Sequence, residues 1–459
     1  MMTRTANPSN DIHPLISRLV SGPLSADSLF DLPGCSFGDL YALAGSLKAT
    51  LTAAAVNSQK FPVCLCATDR KVTAAALLAS LAGGTALVIP HAYSQTVLDE
   101  VHRLTRFKLA IVDRAYPLPR GVRQIEATGL KRKKRLSSPA PCNPDRAWIH
   151  LFTGGSTGAP RLWSKTPRNL LAESRYLMAA FSISPDDRIL TTSPPYHIYG
   201  LLYSVLLPLL AGAGVIKATP AFPGELAASI KNDAPTILVT VPAHYRALRN
   251  HFPLKNRLRM AFSSASPLSD TDAKAFTGAT GVPIYDVYGS TETGGIASRC
   301  PSSGEPGYTP FACVDIQIKD EQLWVHSDFL SPRLPLTPQG YFAAADRVAV
   351  CEKGRFTLTG RADGVVKVGG KRVDLEDVKA KLIELKDVRD ALVFARPVQT
   401  GRANEILALV ESDEKSGIIS RSLAKALEPY ARPRTIRVVK KMPVTATGKY
   451  DRKAIATLF

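Results

Sequence analysis

The sequence predicts an α/β fold: a large N-terminal domain of parallel α/β sheets with a small antiparallel part, then a small α+β C-terminal domain. Three observations predict it. Short apolar runs alternate with helical periodicity from Phe61 to Val287, the pattern of strands joined by crossover helices. Beyond residue 300 the texture changes to short strands and turns. A compact helix and strand tail follows residue 362, so the expected domains are 1–362 and 363–459. A chain of 459 residues is too long for one core, which agrees with this division.

The elements follow in order. Ser36 to Leu51 carries a helical pattern, and Phe61 to Cys66 reads as a buried strand. Val72 to Leu81 is a helix stopped by Gly83-Gly84, and Ala86 to Pro90 is the next strand. A helix over Val97 to Leu104 and a strand over Leu109 to Asp113 complete this run. Residues 131–145 form a basic linker, and 147–151 is a strand end opening into FTGGSTGAPR, residues 152–161. Asn169 to Phe181 is helical and Arg188 to Leu190 strand-like. Tyr199 to Ile216 reads as a core helix running into a buried strand, since Pro208 and three glycines interrupt a membrane-span pattern. Strands are expected at Thr236–Val241, Leu258–Phe262 and Pro283–Val287, the last two running into hydroxyl-rich turns. The antiparallel part spans 315–319, 322–325, 341–342, 348–351 and 355–358. In the tail, helices fall at 375–385 and 421–427, and strands at 391–395, 406–410 and 435–439.

Composition narrows the function. Hydrophobic residues make up 45% and charged residues 21%, as in an ordinary soluble globular protein. Seven scattered cysteines, with only Cys64 and Cys66 close, argue against a zinc site and a disulfide framework and for a reducing cytoplasm. The first thirty residues lack a secretory pattern. The net charge of +19 favours acidic partners, but it is spread along the chain apart from the 131–135 cluster. Without an aromatic-interleaved basic motif or a helix-turn-helix pattern, a nucleic-acid partner is not expected.

The 152–161 loop carries the clearest chemistry. Gly154, Gly155 and Gly158 allow a tight turn whose N–H groups face an anion. Ser156 and Thr157 add hydroxyl donors and Arg161 a fixed positive charge. The spacing differs from that of the kinase and ATPase P-loop. Three strands end in small, hydroxyl-rich turns, and ligands of open α/β sheets sit at such carboxyl ends.

Five segments together resemble the adenylate-forming superfamily of acyl- and aryl-CoA synthetases, luciferases and peptide-synthetase adenylation domains. Phe152 to Arg161 is similar to its phosphate loop, and Tyr288-Gly289-Ser290-Thr291-Glu292-Thr293 to its Y-G-x-T-E signature. Gly340-Tyr341-Phe342 with Asp346, Gly360-Arg361-Ala362-Asp363, and Pro443 to Arg452 are similar to its later motifs. The resemblance implies ATP- and Mg²⁺-dependent activation of a carboxylic acid to an acyl-adenylate, then transfer to the thiol of CoA or of carrier-protein pantetheine. It implies that Thr153, Gly154, Gly155, Ser156, Thr157, Gly158 and Arg161 grip the β,γ-phosphates. Thr291 would donate to the α-phosphate and Glu292 bind Mg²⁺. Ser264, Ala265 and Ser266 would line the adenine beside Tyr288 and Gly289. Asp346 would accept from the ribose hydroxyls and Arg361 contact the nucleotide. Lys449 would reach the carboxylate and α-phosphate. Asp363 would be the hinge of a mobile C-terminal domain, and Gly369 and Gly370 would approach pantetheine. His197 would gate the acid pocket and Tyr199 form its wall. With no carboxylate between Ser193 and Thr219, an aryl or fatty acid is expected rather than an α-amino acid. An acidic acyl carrier protein is a further expected partner for so basic a chain. The sequence departs from the family at Arg161, which replaces lysine, at Gly154, which replaces serine, and at Ala344-Ala345, which replace Thr-Gly.

Overall fold

The computed structural model describes residues 11–459 except 55–60, 131–135, 137–141, 154–160, 253, 255–256, 267, 362–363, 399–403 and 444–451. The chain begins at one edge of a sheet that it completes much later. β1 (Leu29–Leu32) and β2 (Cys35–Ser36) form a short antiparallel pair. The chain then builds a second sheet from β3 (Val63–Cys66), β4 (Leu87–Ile89), β5 (Leu109–Val112), β6 (Arg123–Glu126), β7 (Ile149–Thr153) and β8 (Arg161–Lys165). Its order is β6-β5-β3-β4-β7-β8, parallel except for β8. The interior strands β3 and β5 are buried at every position, as strands covered on both faces must be.

The chain returns to the first sheet with β9 (Arg188–Thr191), β10 (Gly214–Ile216), β11 (Ile237–Thr240), β12 (Met260–Ser263), β13 (Ile284–Ser290), β14 (Gly294–Arg299) and β15 (Thr309–Pro310). The order is β15-β14-β13-β12-β11-β9-β10-β1-β2, so β1 lies parallel to β10. Buried Arg70, at the start of the helix Arg70–Leu81, donates to Lys217 O (3.1 Å) and Thr219 Oγ1 (2.7 Å), tying the second sheet's helix layer to the first.

The antiparallel part is β16 (Asp315–Lys319), β17 (Gln322–His326), β18 (Phe342–Val350) and β19 (Phe356–Arg361), in that order. The tail holds a hairpin, β20 (Val365–Val368) with β21 (Lys371–Asp374), and a sheet of β22 (Val388–Pro397), β23 (Asn404–Ser412) and β24 (Thr435–Val439). A separate apolar core, including Val378, Leu382, Ala408 and Leu423, lies beneath these strands.

Several expectations need correction. Residues 341–342 and 348–351 are not two strands but belong largely to one, β18, with a register shift at Arg347/Val348. Asp346 therefore sits in a strand rather than a loop. The Gly294-Gly295 turn is the start of β14. The helix expected over 421–427 runs instead from Ser416 to Leu423. The Tyr199–Ile216 segment is a buried helix that widens to a π turn over Leu202–Leu206 before Leu207–Ala211 and β10. No helix among the described residues is long and apolar enough to cross a membrane.

Candidate active site

The carboxyl ends of β12 and β13 carry the candidate adenine and phosphate residues. Ser264 follows β12, and its hydroxyl donates to Val287 O of β13 (2.8 Å). Ala265 next to it has φ +76°, a left-handed conformation that costs a residue with a Cβ. Such strain persists where the surroundings hold it, and it bends the 264–266 turn back across the sheet end. Tyr288 lies in β13, and its hydroxyl donates to Asp346 Oδ2 in β18 (2.7 Å). That bond brings the candidate ribose acceptor to the candidate adenine wall, across two sheets. Arg361, the last residue of β19, pairs with Asp346 in backbone register.

The turn after β13 presents Thr291 and Glu292. Ser290 and Thr293 close it, each hydroxyl accepting the other residue's N–H (3.2 and 3.1 Å). Glu292 O accepts from Ser331 N (2.8 Å), and Thr291 O from Ser331 Oγ (3.5 Å). Glu292 Oε2 is buried and has no hydrogen-bond partner among the described residues. An unsatisfied carboxylate oxygen is a costly group to bury, and a hard cation would satisfy it. Among the described residues no group of three or more His, Cys, Asp or Glu side chains gathers to hold a metal. That donor set fits Mg²⁺, which keeps waters and substrate phosphates and needs few carboxylates.

Of the phosphate-loop residues, Thr153 ends β7 and pairs in register with exposed Arg161 at the start of β8. The strands thus bring the two ends of the loop together. Gly154, Gly155, Ser156, Thr157 and Gly158 lie outside the described residues, as do Asp363 and Lys449.

The gate region is built by close packing. His197 precedes the helical segment, and its N–H donates to Pro194 O (3.2 Å). A Cβ on Gly200 would lie 2.1 Å from Pro194 O, so only glycine fits there. Tyr196 packs on His197 (4.8 Å between ring centroids) and on Tyr93 (5.0 Å). Tyr199 packs on Tyr203 (5.0 Å) and donates to Thr240 O (3.3 Å), so its phenol end is held rather than free. Crowding by protein atoms, with His91 and Lys371 nearby, pushes the His197 imidazole down to about 4, although its surface remains open to solvent. The accessible surface weakens that penalty, but the direction leaves a neutral ring at pH 7. Lys371 is the first residue of β21 and follows Gly369 and Gly370, both at positive φ (57° and 80°). Its charge adds to the lowering of both His197 and His91.

Three residues escaped the sequence reading: Lys165, Glu173 and Lys371. Lys165 is fully buried and Glu173 is 3% exposed. Burial pushes the Lys165 ammonium down to about 8 against the pull of Glu173 and Glu292, and burial raises the Glu173 carboxyl. Nothing local marks Lys165, since W-S-K at a strand end reads as an exposed terminus.

Strand ends that converge on Tyr288 with Asp346, a hydroxyl-rich turn and the Glu292 carboxylate form the candidate site. The chain belongs to the AMP-binding enzyme family: residues 30–325 match the family's main model, and residues 377–449 its C-terminal domain. It is 25% identical over 353 residues to a 3-hydroxybenzoate–CoA ligase of Aromatoleum sp. (strain CIB), covering 68% of this chain and 66% of that one. It is 23% identical over 469 residues to a mitochondrial malonate–CoA ligase of Mus musculus, covering 85% and 80%. The fold is shared with an o-succinylbenzoate CoA synthetase of Bacillus subtilis (TM-score 0.76, 16% identity, 96% and 98% covered). An amide bond synthetase of Marinactinospora thermotolerans shares it too (TM-score 0.77, 19% identity, 97% and 99% covered).

Proposed function

We propose that this protein activates a carboxylic acid with ATP, forming an acyl-adenylate and pyrophosphate, and then transfers the acyl group to the thiol of CoA. The observation that carries the reading is the Tyr288–Asp346 bond, which joins the adenine wall to a ribose acceptor one turn away from the free Glu292 carboxylate. The acid is an aryl or fatty acid: aromatic rings pack around His197 and Tyr199. The hydroxybenzoate ligase among the relatives supports an aryl acid.

The substrate carboxylate attacks the α-phosphorus, and the bond to the β-phosphate oxygen breaks. Adenylation supplies the leaving group that a carboxylate lacks. Asp346 accepts from the ribose hydroxyls, and Ser264 to Ser266 hold the base. Thr291 donates to the α-phosphate, while residues 153–158 and Arg161 hold the departing pyrophosphate. A cation held by Glu292 supplies positive charge that offsets the negative charge on the phosphates. Lys449 steadies the charge at the reacting phosphate and carboxylate. The domain boundary falls between 362 and 363, with Asp363 as hinge, and rotation there exchanges Lys449 for the Gly369-Gly370 turn. The thiol then attacks the acyl carbon and AMP leaves. The scattered cysteines of such an enzyme suit a reducing cytoplasm.

A second reading, that the thiol is the pantetheine of an acidic carrier protein, is favoured by the net charge of +19. Pyrophosphate release across a panel of aryl and fatty acids, with CoA or with a pantetheinylated carrier protein, tests both. Release with an aryl or fatty acid and thioester formation on CoA is expected. ATP binding without pyrophosphate release for any acid would sink the reading.

A further inference from the structure

We propose that Lys165, together with Glu173, is a positioning residue that holds the Glu292 turn in the orientation its carboxylate needs to bind the cation accompanying ATP. This rests on the reading of Glu292 as the cation's ligand. Lys165 ends β8, the strand that returns from residues 154–160. Its Nζ donates to Phe329 O (2.8 Å) and to Glu292 O (3.3 Å). Glu173 comes from the helix Pro167–Ala180 that follows. Its Oε1 accepts from Gly295 N (2.7 Å). Its Oε2 has no hydrogen-bond partner among the described residues and occupies the space a side chain at residue 294 would need, 2.7 Å from the Cβ position. Gly294, at φ +68°, leaves that space free.

The two groups therefore grip the 292–295 segment at both ends, from the strand and helix that follow the phosphate loop. The ammonium takes the main-chain oxygen of Glu292 and leaves its carboxylate uncommitted. Apolar residues of similar volume would fill this core as well, because buried charged groups add little net stability over such a replacement. Hydrogen bonds behind a metal ligand fix its direction, and their loss weakens metal binding by about 10–100-fold.

The test uses the full chain carrying Lys165→Met with Glu173→Leu, which removes both charges together. Calorimetric titration with α,β-methylene-ATP, with and without Mg²⁺, measures how much the cation tightens nucleotide binding. That tightening is expected to fall about 10–100-fold, with Mg²⁺-free affinity within about twofold of wild type. Glu292→Gln is expected to lose the same tightening. If Glu292→Gln keeps it, the cation is not held by Glu292 and the inference falls with that reading. If Glu292→Gln loses it and the double variant keeps it, the inference alone fails. Equal weakening with and without Mg²⁺ would mean a merely structural pair and would also overturn it. Should the double variant not fold, Lys165→Gln, shorter and uncharged, is read by the same ratio with a loss of at least about tenfold expected.

Discussion

One added methyl group at residue 200 would test whether the gate depends on the close packing seen beneath it. In Gly200→Ala the new Cβ would lie 2.1 Å from Pro194 O, 2.7 Å from Pro194 C and 2.8 Å from Ser193 O. A carbon and a carbonyl oxygen rest about 3.3–3.6 Å apart, so one side must retreat by more than about 1 Å. All three atoms are backbone and cannot swing aside. Pro194 O also accepts the His197 N–H, so relief of the clash displaces the gate itself. Overpacking of this kind costs about 1–3 kcal/mol. A misplacement of about 1 Å near reacting groups costs about 100-fold in rate. The expected result is a lowered Tm by differential scanning fluorimetry and a roughly 100-fold slower acid-dependent pyrophosphate release. Nucleotide affinity, set on the far side of the sheet ends, stays near wild type. Wild-type turnover in Gly200→Ala would refute the reasoning.

Three further outcomes are expected. Asp346→Asn raises KM for ATP by about tenfold, as expected for loss of a charged acceptor worth about 1.5–3 kcal/mol, and reduces discrimination against 2′-deoxy-ATP; unchanged discrimination would remove the ribose role. Lys449→Ala slows pyrophosphate release by at least about 100-fold yet leaves acyl transfer from supplied acyl-adenylate intact, since only the first half-reaction uses that charge. Burial pushes the His197 imidazole from the usual 6.5 down to about 4, so it stays neutral from pH 5.5 to 8. The unfolded chain binds this proton more readily than the folded one, so His197 opposes folding increasingly as pH falls below 6.5. His197→Gln should therefore leave the shape of the pH–rate profile unchanged above pH 5.5 and reduce acid destabilisation. A limb near pH 6.5 that vanishes in the variant would contradict this.

The alternation of apolar strands and helices was legible because β3, β5, β9 and β11 are buried runs set apart by helical periodicity. The short β1–β2 pair was not, since the strand that holds it in the sheet, β10, lies far along the chain. Asp346 is picked out by its motif, but the strand that carries it is not. Its strand is broken in pattern by a bulge at Arg347/Val348, and only pairing with β17 and β19 makes it continuous. Gly294-Gly295 looked like a turn because glycine weakens a strand, yet β13 holds it by antiparallel pairing. Lys165 had no local mark at all, because its partners are carbonyls 127 and 164 residues away.

The pairing of β1 with β10 has a consequence for biosynthesis. Asp31 and Leu32 meet Val215 and Ile216 only after an entire intervening sheet has been made. A nascent chain emerging N-terminus first must therefore carry the β1–β2 pair without its parallel neighbour β10 while β3 to β8 assemble. Apolar Leu29 and Phe30 wait with it, and closing so long a loop is slow compared with local pairing. The second sheet is in effect an insertion within the first. A fragment ending after β8 would leave an orphaned β1–β2 pair and a sticky edge, so nicking the chain between the two sheets should not release two independent folding units.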